Sequence, residues 1–147
     1  MISGIQVPGQ SVLETMEESG LRIVANDVAT LRRSYGYSPE ITDDPIGYYR
    51  DFYFNHYPCT TMLPEGDRRA DLFGSVVRDY GIRGVVFLGE KFCEYEYFEM
   101  PYIEHVLQGA GIRSLRLEFG AEDSKSPGAV NNRIMAFAEM LTMQMDS

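Results

Sequence analysis

The chain has 147 residues, 44% of them hydrophobic, and its 13 basic against 22 acidic side chains leave a formal charge of -9 and a pI near 4.6. That length and apolar content suit one globular domain with a sizeable core, while the acidic balance speaks against nucleic acid as the main partner, because neutralising phosphates takes clustered Lys and Arg. No run approaches the roughly 20 apolar residues of a membrane helix and no basic-then-apolar leader opens the chain, so a cytoplasmic protein that binds no membrane is expected.

Met1 to Gly4 reads as the end of a strand, and this abrupt start suggests a piece of a longer chain. Ser11 to Ser19 carries Val12, Leu13 and Met16 on one helical face, after the turn Pro8-Gly9 and before Gly20. Leu21 to Ala25 predicts a short strand ending in the polar pair Asn26-Asp27. Between Thr30 and Thr61, turn formers mix with the aromatics Tyr48, Tyr49, Phe52, Tyr53, Phe54 and Tyr57, which predicts a loop and then a helix near Ile46 to Phe54.

From Pro64 onward Ala70, Phe73, Val76, Val77 and Tyr80 mark a helical stripe that Gly81 ends. Gly84 to Leu88 is a continuous apolar run without alternation, as a parallel strand covered on both faces requires. The loop Gly89 to Tyr95 carries Cys93. Met100, Ile103, Val106, Leu107 and Ala110 give the next helical face, Ile112 to Glu118 another strand, and Ser126-Pro127 opens a last helix whose apolar face is Val130, Ile134, Phe137, Leu141 and Met145.

Strands alternating with helices call for a single α/β domain over residues 1–147: a flavodoxin-like, doubly wound parallel sheet of about four strands in the order 2-1-3-4, with helices on both faces. Ligands of such sheets bind beyond the carboxyl ends of the strands. Four segments share that edge: Gly4 to Gly9, Asn26 to Thr30, Gly89 to Tyr95, and the chain after Glu118.

The run Gly84-Val85-Val86-Phe87-Leu88-Gly89-Glu90-Lys91-Phe92-Cys93-Glu94, followed by Tyr97, Met100 and Pro101, resembles a strand-loop-helix signature of the 2-hydroxyacyl-CoA dehydratase and benzoyl-CoA reductase family. The similarity extends upstream to Ile23-Val24-Ala25-Asn26-Asp27. Downstream it takes in Leu107 to Ile112 and the closing helix from Asn132 to Leu141, in the order of the family's last domain. The resemblance implies the C-terminal domain of a longer iron-sulfur subunit, paired with a homologous second subunit and sharing a 4Fe-4S cluster with other domains. An ATP-hydrolysing activator then delivers one electron, a CoA thioester substrate becomes a ketyl radical, and either water leaves or an aromatic ring is reduced.

Cys93 is the first candidate cluster ligand, because iron needs a thiolate and this loop edge offers backbone N–H groups to the negative charge. The alternative is a small, partly buried hydrophobe. Cys59 is a second candidate, if its loop folds over the same edge. Two cysteines do not complete a site that usually takes four, so further ligands are expected from elsewhere. Lys91, Asp27 and Arg32 are candidate contacts to the acyl-CoA, with Arg33 beside them, although a solvated charge is the ordinary state of such cations. His56 is read as a surface or core histidine, since zinc spacing is absent. Glu90, Glu94 and Glu96 are expected to face solvent or a partner. The aromatic cluster is read as a packing surface in preference to a channel wall.

Two readings compete with the enzyme fragment. One is a non-catalytic flavodoxin-like binding or interaction domain, which Gly4-Ile5-Gln6-Val7-Pro8-Gly9 supports poorly as a nucleotide loop. The other keeps iron-sulfur chemistry but reduces small molecules at a larger cluster.

Overall fold

The computed structural model describes residues 1–58, 68–120 and 127–144. Four parallel strands, β1 (Ile2–Gly4), β2 (Asn26–Val28), β3 (Gly84–Glu90) and β4 (Arg113–Phe119), form one sheet in the order β2-β1-β3-β4. The expected 2-1-3-4 order is observed. Around the sheet lie α1 (Gln10–Glu18), α2 (Pro45–Asn55), α3 (Arg68–Asp79), α4 (Glu94–Gly109) and α5 (Pro127–Met143).

Each face of the sheet buries its own cluster. On one side Phe73, Val76 and Val77 of α3 and Met100, Ile103 and Leu107 of α4 pack on Met1, Val85 and Phe87; the Phe73 and Phe87 rings stack with centroids 6.2 Å apart. On the other, Val12 and Met16 of α1 and Ile134 and Phe137 of α5 cover Ile2, Val28, Val86, Leu88 and Leu117. Successive β3 residues therefore alternate between two buried faces, which is why the run shows no polar alternation. Each such side chain contributes roughly 1.5–3 kcal/mol when removed from water.

Three helices end alike. Gly20, Gly81 and Gly111 adopt φ of +80, +58 and +74, and the residue after each donates its N–H back into the last turn: Leu21 to Met16, Ile82 to Val77, Ile112 to Leu107. A left-handed residue followed by an apolar one closes the helix and turns the chain toward the next strand. Asp44 opens α2 by accepting from the Ile46 N–H, with Pro45 in the first helical position.

Several expectations need correction. β2 is Asn26–Val28, not Leu21 to Ala25, and Ile23 and Val24 are exposed. The strand sits where Ser3 and Asp27 meet across the β1–β2 pairing, so a buried carboxylate holds the position that local apolarity assigned elsewhere. Tyr80, Val106 and Ala110 lie on the outer sides of their helices. Ser126 and Met145 fall outside the described residues.

Candidate functional site

All four strands point the same way, so the segments after Gly4, Val28, Glu90 and Phe119 share the carboxyl edge. There the Lys91 N–H donates to the Phe119 carbonyl, prolonging the β3–β4 ladder by one step. The chain then turns sharply. Phe92 takes φ +71, a left-handed conformation that a bulky aromatic residue rarely adopts, and the residue is 94% exposed. Cys93 follows as the N-cap of α4: its N–H donates to Glu90 O, its carbonyl accepts from Tyr97 N–H, and its side chain caps nothing. The thiol is free and half-buried. A helix start whose N–H groups receive no side-chain cap favours negative charge beside it.

Behind this turn lies a network of buried charge. Asp27 of β2 has no exposed surface; its carboxylate accepts two hydrogen bonds from the Arg69 guanidinium, at 2.9 and 2.7 Å, and one from the Ser3 hydroxyl at 2.7 Å. Arg33, 1% exposed, donates to the carbonyls of Asp27 at 3.0 Å and Gly4 at 2.6 Å and to Glu96 Oε1 at 3.2 Å. Arg69 also pairs with Glu99, at 2.7 Å, and holds the Pro58 carbonyl at 3.3 Å. Burial alone would weaken the Arg69 charge, but the hydrogen bonds and charges of Asp27 and Glu99 hold its proton more tightly than usual. The network joins β1, β2, α3 and the first two turns of α4.

Glu96 is 4% exposed and, contrary to expectation, does not face solvent. Burial raises its carboxyl pKa despite the opposing pull of Arg33 and Arg69, and its Oε2 atom has no hydrogen-bond partner among the described residues. The Tyr57 hydroxyl is likewise buried without a partner among the described residues, and desolvation pushes its pKa up to about 12. Arg32 stacks over the Tyr57 ring, 5.5 Å from its centroid, while its N–H donates to Asn26 Oδ1.

The remaining candidates fall in different places. Lys91 borders a cleft of about 900 Å³ at the same edge, on the α1–α5 side, with Val7, Gly9, Gly89, Phe119 and Arg133. Glu90 and Glu94 are exposed, as expected. His56 closes α2, buried against Phe52, and burial lowers its pKa. Cys59 lies outside the described residues. Among the described residues no three His, Cys, Asp or Glu side chains converge to hold a metal ion.

The edge thus carries Lys91 and Arg32 beyond the strand ends, Cys93 at the head of α4 and Asp27 within β2, in two surroundings: a buried charge network behind the end of β2 and α4, and an open cleft before α5. Reading the sequence alone gave no role to Arg69, Ser3 and Phe92 and placed Glu96 on the outside. One local signal was available, because Glu96 stands at the third helical position after its N-cap, where a glutamate usually reaches back to the cap N–H; here it turns inward to Arg33 instead.

Residues 1–141 match the family described as 2-hydroxyglutaryl-CoA dehydratase, D-component. The chain is similar to the (R)-phenyllactyl-CoA dehydratase beta subunit of Clostridium sporogenes, with 24% identity over 139 residues, covering 95% of this chain. It spans about 37% of the length of that relative. Among the described residues no helix is long and apolar enough to cross a membrane.

Proposed function

Because the chain belongs to the 2-hydroxyglutaryl-CoA dehydratase D-component family, we propose that it forms the cluster-bearing α/β part of an iron-sulfur subunit that removes water from a 2-hydroxyacyl-CoA thioester. The observation that carries this is Cys93: a free, half-buried thiol at an uncapped helix start on the carboxyl edge of the sheet. Its donor chemistry fits one iron ligand. When bound, a 4Fe-4S cluster supplies one-electron reducing chemistry. Elimination is preferred over ring reduction because the similar Clostridium protein is named a dehydratase subunit.

In this reading Cys93 holds one iron and the N–H groups of the first α4 turn offset negative charge on sulfur. Cys59 is the second ligand; its neighbour Pro58 is held by Arg69, which also grips Glu99 two turns into α4. Lys91, on the cleft, offers a cation to CoA phosphates, and Arg32 a second one across the edge. Asp27 supports substrate binding at one remove, by fixing Arg33 and Arg69. The homologous second subunit packs on the exposed aromatics of α2, which fully buries none of its own residues, and of α4. An ATP-dependent activator donates the electron, in the cytoplasm.

Anaerobic reconstitution of the full-length subunit with iron and sulfide tests the proposal. Cys93→Ser and Cys59→Ser are each expected to lower iron content and the broad charge-transfer absorbance. Unchanged iron in Cys93→Ser removes the assignment. The cleft favours a second reading, a non-catalytic flavodoxin-like binding domain, since it opens beside β1 and β3, where strand order reverses. Saturable binding of flavin or nucleotide to protein that takes up no iron would favour that reading.

A further inference from the structure

We propose that Glu96 is a positioning residue for the Cys93 thiol: its buried side chain, held by Arg33, pins the first turn of α4 to the ends of β1 and β2 and so sets where the sulfur stands. This deepens the reading of Cys93 as a ligand and rests on it only for its purpose.

The geometry argues for a directed link. Cys93 is the N-cap and Glu96 the third helical residue, so the two lie on the same turn, whose closing bond runs from Tyr97 N–H to Cys93 O. An acidic residue at a helix start is ordinarily exposed and favoured there by the helix dipole. Glu96 instead gives up water, and one of its oxygens has no partner among the described residues, to reach an arginine that also bonds Gly4 O and Asp27 O. A buried ion pair adds little stability, because desolvation offsets the attraction, but it specifies one arrangement of the elements it joins. The element it joins here begins at Cys93, directly after a residue in a left-handed conformation.

Thiol alkylation of the purified, reduced, cluster-free chain reads this directly. Iodoacetamide rates are followed from about pH 6 to about pH 10, with peptide mass spectrometry separating Cys93 from Cys59. Removing a nearby negative charge lowers the pH midpoint of the rate and, by making the thiolate less basic, slightly lowers the plateau; releasing the turn raises the alkaline plateau. Glu96→Gln is expected to raise the Cys93 plateau roughly fivefold or more, through local opening. Glu94→Gln, exposed in the same turn, controls for charge, and Glu99→Gln for general loosening of α4. A plateau within about twofold of wild type in folded Glu96→Gln overturns the proposal, as does an equal rise in either control. If Glu96→Gln does not fold, Glu96→Asp, which keeps the charge but loses reach, carries the same test. Iron content plays no part in this measurement, so its failure leaves the ligand assignment standing, and the reverse also holds.

Discussion

Phe92 is held left-handed at φ +71 with 94% of its surface open to water, so almost no packing compensates the backbone. For an L residue that conformation costs about 1–2 kcal/mol, while glycine's greater freedom in the unfolded chain returns part of the difference. Phe92→Gly is therefore expected to stabilise the isolated chain by about 0.5–1 kcal/mol in urea unfolding, and a loss of stability would show that the ring is anchored after all. Glu96 makes a second residue-scale prediction. Burial raises its pKa above the usual 4.5, outweighing Arg33 and Arg69, with Asp27 adding to the rise. The folded state thus binds this proton more tightly than the unfolded state, so the linked stability is present below the usual value and is lost as pH rises through the folded value. Measured from about pH 4 to about pH 7, wild type is expected to lose stability relative to Glu96→Gln as pH rises. Wild type gaining stability relative to Glu96→Gln as pH rises would show that Arg33 dominates over desolvation.

Among the elements, β2 shows most plainly what local pattern carries. The long strands β3 and β4, the helices α1, α3 and α5 and the three glycine-closed helix ends were legible because apolar spacing and left-handed glycines are local signals. β2 was displaced, because Asp27 reads as a turn residue until its partner is known, and Arg69 stands 42 positions away in sequence. The inward turn of Glu96 escaped for the same reason, its partner Arg33 lying 63 positions back. Cys93 was legible at the edge because strand order and loop position follow from element order alone. The long-range ties make β2 and α3 dependent on one carboxylate. Asp27→Asn leaves two buried guanidiniums short of charge and is expected to cost roughly 3–5 kcal/mol in urea unfolding. The Arg116–Glu104 pair of β4 and α4 is part-buried at the surface, and Glu104→Gln is expected to cost only about 0–1 kcal/mol. Equal losses would mean that the buried network carries no special structural weight.

For the molecule as a whole, the distribution of apolar surface is uneven. Both sheet faces are filled, yet Ile46, Tyr49, Tyr53 and Phe54 of α2 and Tyr95, Phe98 and Tyr102 of α4 stand substantially exposed, with Phe92 at the head of the second group. Tyr95, Phe98 and Tyr102 recur at intervals of three and four, which places them on one side of α4, opposite Met100, Ile103 and Leu107 that face the core. A helix with an apolar stripe on both sides belongs at an interface, since single exposed hydrophobics are ordinary but an aligned row of aromatics is not. The partner reading therefore separates stability from assembly. Phe98→Glu adds charge where no core contact exists, so urea unfolding of the isolated chain is expected to change by no more than about 0.5 kcal/mol. In the same variant of the full-length subunit, co-purification with the homologous second subunit is expected to fall well below wild type, because a desolvated, unpaired carboxylate is costly at a packed interface. Full assembly of Phe98→Glu with an unchanged elution volume would exclude this side of α4 from the contact.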